Sequence, residues 1–248
     1  MYSHYHRKPI KEVLQGKNAK EYKEYSEEYL NYFYPSLAEQ IIFETNISNG
    51  NCVEIGTGSG FLAIELAKRT NLKIFAVDLS DDMITIAEDN VKRFGLLNKI
   101  TIRLGDAHKL PFDNDFADLV VTHGAFHHWR DPVTALKEIH RILKPRGIGY
   151  IIDLRRDAPS YLVEKFVKYN RKFAEHTLNA FHASYTIEEV RKLIKKANIS
   201  NYDLSVFKLD DEVIKNNIVT LIKSPVKSPC ASEIAFRVLI KKSLEGVR

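Results

Sequence analysis

Gly56, Gly58 and Gly60 stand at alternate positions in "CVEIGTGSGFLAIELAKR" (residues 52–69), where an apolar run turns into a helix-period pattern, and Glu54 lies two residues before the first of them. Glycines at a strand-to-helix turn let backbone come close to a small ligand at the helix N-terminus. A dinucleotide is one such ligand, but its G-x-G-x-x-G spacing would put the third glycine at position 61, which is Phe61. Glu54 would also repel a pyrophosphate and attract a cation. S-adenosylmethionine meets these demands: it carries a sulfonium, an amino group, a carboxylate and an adenosine, and no phosphate. Its amino group suits Glu54, and its carboxylate suits N–H groups of the turn. Asp78, 20 residues after Gly58, ends a second strand where it can grip both ribose hydroxyls, and Asp106 follows a third strand where it can read the adenine amine.

A second constellation closes the fourth strand, "THGAFHHW" (residues 122–129). His127 and His128 are candidate bases for an acceptor that arrives protonated. The other reading makes "HHW" a structural corner that packs Trp129. The turn lacks the Asn/Asp/Ser-Pro-Pro-aromatic sequence of base amino methylation and the Pro-Cys of cytosine C5 methylation; Pro229-Cys230 lies far downstream. Cys52 and Cys230 form no CxxC, Cys52 reads as a buried inert thiol, and His4 and His6 read as a solvated tail, so no metal is expected.

These residues need a frame. Apolar strands at 52–55, 73–79, 99–104, 116–122 and 148–154 alternate with helical segments, as in a parallel sheet covered on both faces. That is an α/β, doubly wound, Rossmann-like domain. Ser80 and Asp131-Pro132 read as helix starts, and Gly95 as a stop. Past Leu154 the rhythm changes: residues 159–180 look like one long helix, followed by a helix over 186–197 and strands near 202–209 and 236–243. Residues 210–235 fit no element. Tyr22, Tyr25, Tyr29 and Tyr32 or Phe33 recur at helical spacing before Pro35, which is expected to break that helix.

"VEIGTGSG", "VDLS", "GDAHKLPFDNDFADLVVTHGAFHHWRDP" and "LKPRGIGYIIDL" resemble successive motifs of class I S-adenosylmethionine-dependent methyltransferases, in the type 11 subgroup with small-molecule and ubiquinone/menaquinone C-methyltransferases. The resemblance covers residues 49–155 well and the rest loosely. It implies a seven-stranded sheet of order 3-2-1-4-5-7-6 with the last strand antiparallel. It also implies a cofactor set: Glu54, Gly56, Thr57, Gly58 and Gly60 at the methionine end, Asp78 at the ribose with Leu79 and Met83 nearby, Asp106 and Ala107 at the adenine. His123 borders the methyl.

The implied organisation is a helical N-terminal cap (1–48) and an S-adenosylmethionine-binding core (49–245) with a helical insertion (159–185), the cap and insertion enclosing the substrate. The expected activity is methyl transfer to a small molecule, with S-adenosylhomocysteine as product; RNA or protein methylation, or cofactor binding without transfer, are the alternatives. Of 248 residues 44% are hydrophobic and 28% charged, as in a globular enzyme and unlike a disordered chain. The net charge of +5 comes from residues 191–248, with 12 Lys/Arg against 6 Asp/Glu. "RKLIKK" within it reads as a solvated helix face, so a nucleic-acid partner is not expected. No apolar leader or membrane-length run occurs, and a cytoplasmic location is expected.

Overall fold

Strands β1 (Asn49–Ile55), β2 (Asn71–Asp78), β3 (Ile100–Leu104), β4 (Ala117–His123), β5 (Leu143–Leu154), β6 (Tyr202–Val206) and β7 (Ala235–Lys241) form one sheet, in the order β3-β2-β1-β4-β5-β7-β6. The structure is a computed structural model that describes residues 6–11, 13–217 and 233–243. Strands β1 to β5 are mutually parallel, and β7 runs antiparallel between β5 and β6. The expected α/β sheet and its order are therefore observed. The parallel strands send their carboxyl ends to one edge, and β1 and β4 meet there at the point where the strand order reverses. Doubly wound sheets open a crevice at that point.

Composition explains the layers. Residues 52–55 of β1 are buried on both faces, which an apolar run tolerates and an alternating one would not. Helices α2 (Asn31–Thr45), α3 (Phe61–Arg69) and α4 (Asp81–Arg93) give the core on one side Leu37, Ile41, Leu62, Leu66 and Val91. Helices α5 (Pro132–Ile142) and α8 (Ile187–Lys196) give the opposite core Leu136, Ile139, Val190 and Ile194. Each such side chain, fully buried, contributes roughly 1.5–3 kcal/mol.

The helix starts are as the sequence indicates. Ser80 Oγ accepts from Met83 N at 3.3 Å. Asp131 Oδ1 accepts from Val133 N at 3.1 Å and Thr134 N at 3.2 Å, with Pro132 opening the helix. Thr186 and Glu189 form a reciprocal capping box on α8.

Three local expectations change. Pro35 does not end its helix: α1 (Lys17–Tyr25) passes through a π-helical turn, Ser26–Leu30, into α2, which carries the proline inside it. The wider turn just before it is a place where a helix can absorb an irregularity. Residues 1–48 are also not one cap, because α2 packs on α3 as a layer of the core. Finally, the helix expected over 159–180 is two helices, α6 (Ser160–Tyr169) and α7 (Ala174–Ala183), hinged by a 3-10 turn at Arg171–Phe173. A short helix, α9 (Asp211–Asn216), occupies part of the unassigned stretch. Residues 218–232, with Pro229 and Cys230, lie outside the described residues, as does His4.

Candidate functional site

The glycine turn follows β1 with φ near 73°, 53° and 77° at Gly56, Gly58 and Gly60, a backbone that only glycine adopts cheaply. A Cβ on Gly58 would stand 2.7 Å from Tyr22 Cε1, so α1 lies directly over the turn. The turn is tied inward. Gly56 N and Thr57 N donate to Val77 O, Gly58 N donates to Asp78 Oδ2 at 2.9 Å, and Gly60 N donates to Thr57 O. These four N–H groups are therefore engaged within the chain, contrary to the expectation that the turn offers them to a ligand. Val77 and Asp78 of β2 satisfy three of them, and Thr57 of the turn itself satisfies the fourth.

Glu54 is buried at 3% exposure, and its Oε2 accepts from Thr57 Oγ1 at 2.7 Å. Burial pushes its carboxyl up to about 8, helped by the charge of Asp78 and opposed by hydrogen bonds from Thr57 and the Ala63 N–H. Asp78 accepts from Gly58 N and, at 3.0 Å, from Ser80 N, yet burial still raises its carboxyl above the ordinary range. Among the described residues neither acid has a cationic partner. Two buried carboxyls without a counter-charge, beside a glycine turn, fit a ligand that brings an ammonium and hydroxyls.

A cleft of about 620 Å³ opens at this edge. Gly56, Gly58, Asp78, Leu79, Ala107 and His123 line it, so the structure brings six of the expected cofactor residues together. Glu54, Thr57, Gly60, Met83 and Asp106 are not on its surface. Glu54 and Thr57 lie beneath the turn, and Met83 is buried in α4. Asp106 is directed elsewhere: Oδ1 contacts His108 Nδ1 at 2.5 Å and accepts its N–H at 2.8 Å, while Oδ2 accepts from Arg130 at 2.7 Å. Burial opposes its ionisation, but these partners outweigh that and hold its carboxyl near 2.

A second cavity, about 1120 Å³ with its open mouth included, adjoins the first. Tyr22, His123, Gly124 and His128 belong to both. Its wall is aromatic, with Tyr25, Tyr29 and Phe33 on one side and Phe166 and His176 on the other. His123 sits against the rings of Phe33 and Tyr34, its Nδ1 3.3 Å from Tyr34 Oη, and burial lowers its pKa to about 4. It is neutral at neutral pH.

The "FHHW" corner is anchored from below. Phe126 is fully buried against Trp129, Tyr185 and Phe236, which leaves the two histidines at the cavity. His127 Nδ1 lies 2.7 Å from Asp153 Oδ1, and His127 N donates to Asp153 Oδ2 at 2.8 Å. Burial would raise the Asp153 carboxyl, but His127 overrides it, and Asp153 stays below the usual range. An ionised carboxylate only accepts, so Nδ1 carries a proton, and in the neutral imidazole Nε2 is then the atom with the lone pair. Among the described residues nothing bonds that Nε2. His128 donates Nδ1–H to Lys11 O at 2.9 Å, and burial, with His127 next, drops its pKa to about 3.

Asp153 is the residue the sequence reading passed over. Its signal was the same as that of Glu54: an acid at the carboxyl end of an apolar strand, in "GYIIDL". The N-terminal strap was also unforeseen. Arg7 donates to Ala183 O and His127 O, Ser80 Oγ donates to Leu14 O, and Gly16 N donates to Asp82 Oδ2, so the strap crosses the cleft from α7 to α4.

Residues 53–151 match the methyltransferase domain family. Over that stretch the chain is similar to a methyltransferase domain. The chain is 34% identical over 101 residues to a demethylmenaquinone methyltransferase of Chlorobaculum tepidum, covering 41% of this chain and 39% of that protein. It is 26% identical over 174 residues to a ubiquinone/menaquinone biosynthesis C-methyltransferase of Blochmanniella pennsylvanica, covering 67% and 63%. The chain thus matches less than two thirds of the length of these relatives. A crystal structure from Methanococcus maripaludis, described as a candidate S-adenosyl-L-methionine-dependent methyltransferase, shares 27% identity over 98% of each chain, with a TM-score of 0.67. The matched stretch runs from within β1 to most of β5 and so includes the glycine turn, Asp78, Asp106 and His127. Asp153, the strap, α6 and α7 lie outside it. No helix among the described residues is long and apolar enough to cross a membrane.

Proposed function

We propose that the protein transfers a methyl group from S-adenosyl-L-methionine to a small-molecule acceptor. One observation carries this reading: the cleft holding Asp78 and the glycine turn meets the aromatic cavity at Tyr22, His123, Gly124 and His128. A cofactor in the first and an acceptor in the second would share that boundary. When bound, the cofactor supplies an electrophilic methyl on a sulfonium. The chain's part is to hold the partners in line and exclude water, which in well-oriented systems is worth up to roughly 7–11 kcal/mol. Glu54, from beneath the turn, would answer the cofactor's ammonium, directly or through water; Asp78 would take the ribose hydroxyls, and Ala107 would help hold the adenine. His127, oriented by Asp153, accepts the acceptor's proton at Nε2, and neutral His128 lies beside it, ring centroids 4.3 Å apart. Two relatives are named for quinone-pathway methylation, and the aromatic wall supports a flat acceptor of comparable kind.

Calorimetry tests the cofactor first. S-adenosylmethionine and S-adenosylhomocysteine should bind, NAD should not, and Asp78→Ala should weaken binding by about 1.5–3 kcal/mol, more than Asp78→Glu. Incubation of a cell extract with methyl-labelled S-adenosylmethionine should then yield a labelled small molecule. Tight NAD binding, or an Asp78→Ala variant of wild-type affinity, would contradict the assignment.

A further inference from the structure

Six buried side-chain atoms among the described residues lack a hydrogen-bond partner, and three of them stand at one wall of the aromatic cavity. They are Nδ2 and Oδ1 of Asn170 and Oγ1 of Thr177, residues exposed by 0% and 3%. Burying an amide with neither end paired is unfavourable, so a reason is needed for polar residues here.

The fold supplies none. Asn170 ends α6, where its backbone N–H reaches Phe166 O and its carbonyl accepts from Phe173 N, so the turn is made by main chain alone. Its side chain caps nothing, and its φ of −97° does not call for asparagine. Thr177 lies inside α7. Thr45, Thr70 and Ser184 each return their hydroxyl to the carbonyl four residues back, and Thr177 does not. The surrounding wall narrows what could satisfy them. Among the described residues it holds aromatic rings and no Lys or Arg, and the one carboxylate among them, Asp153, is committed to His127. An anionic acceptor would find no counter-charge.

Building on the methyltransferase reading, we propose that Asn170 and Thr177 form the specificity end of the acceptor site. The acceptor is an uncharged molecule with a flat apolar body and a carboxamide-type edge, one donor beside one acceptor. Its donor meets Asn170 Oδ1, its acceptor meets Asn170 Nδ2, and the Thr177 hydroxyl pairs with the remaining lone pair. The rings of α1 and of the π-helical turn after it hold the body: Tyr25 packs on Phe173 and His176, and Tyr29 on Phe173. Entry therefore parts α6 and α7 from α1.

The test uses 2-naphthamide as probe, with 2-naphthoate and 2-methylnaphthalene as its anionic and apolar counterparts. Protein saturated with S-adenosylhomocysteine should bind the amide and neither of the others. Asn170→Leu and Thr177→Val, which remove the polar atoms at similar size, should each lower amide affinity at least tenfold. Without probe, both variants should keep the wild-type melting temperature or exceed it by about 2–4 °C, because an unpaired polar group is replaced by an apolar one. Equal binding of all three naphthalenes, no binding of the amide, unchanged affinity in the variants, or a lower melting temperature in both would each overturn the proposal. Amide recognition without any labelled product in the methyl-transfer assay would remove the enzyme reading and leave this one standing.

Discussion

At the scale of single residues, His127 and Asp153 carry the sharpest expectation. The imidazole is nearly inaccessible to solvent, its proton is fixed on Nδ1 by the carboxylate, and its Nε2 has no partner among the described residues. His127→Gln should lower turnover by about 10²–10⁴ with cofactor affinity unchanged. Asp153→Asn acts through its neighbour. Loss of the carboxylate removes the acceptor that fixes the Nδ1 proton and the ring orientation of His127, so kcat should fall more than KM rises. A flat profile in wild type and near-normal turnover in His127→Gln would leave the pair as structure. Because its folded-state pKa is depressed, Asp153 stabilises the fold above the ordinary carboxylate pKa and loses that contribution as pH falls through its own.

At the scale of elements, the strap and α1 differ from the sheet. Residues 6–11 and 13–16 are held by bonds to Ala183, His127, Ser80 and Asp82 and by the His128–Lys11 contact, with little buried apolar surface. Segments fixed by a few polar contacts open at low cost, whereas β1 and β4 open only with the whole domain. Amide hydrogen exchange should therefore be fast over residues 6–25 and 160–183 in the free protein. It should slow in the first segment when S-adenosylhomocysteine binds and in the second when an acceptor joins it. Protection equal to that of β1 in the free protein would sink the lid. The α2 helix should stay protected throughout, since Leu37, Ala38 and Ile41 are in the core.

At the scale of the molecule, Glu54 links cofactor binding to pH. Its folded-state pKa of about 8 stands above the ordinary 4.5, so the carboxyl is largely protonated near pH 7. Between these values the unfolded chain ionises first, and the free protein loses stability as pH rises. A cofactor ammonium needs the charged form, and binding must then expel a proton. Affinity for S-adenosylhomocysteine should rise by up to about tenfold per pH unit toward pH 8 and level off above it. Adenosine, which lacks the ammonium, is the control and should show a flat profile; parallel curves for the two ligands would show that Glu54 does not meet the amino group.

The sequence by itself determined the sheet, its class and the cofactor edge. Alternating apolar strands and periodic helices are local patterns, and Gly56, Gly58 and Asp78 are placed by being next to strand ends. The caps at Ser80 and Asp131 were legible for the same reason, since each acts within three residues of itself. What depends on contacts far apart in the chain was decided only by the fold. The His127–Asp153 pair joins residues 26 apart, and the strap joins Lys11 to His128 across 117. The diversion of Asp106 onto Arg130 and the approach of Tyr22 to Gly58 are of this kind as well. So is the isolation of Asn170, because whether an amide is satisfied depends on which helices close around it. Local spacing fixes where a side chain leaves the backbone; only packing decides which atom it meets.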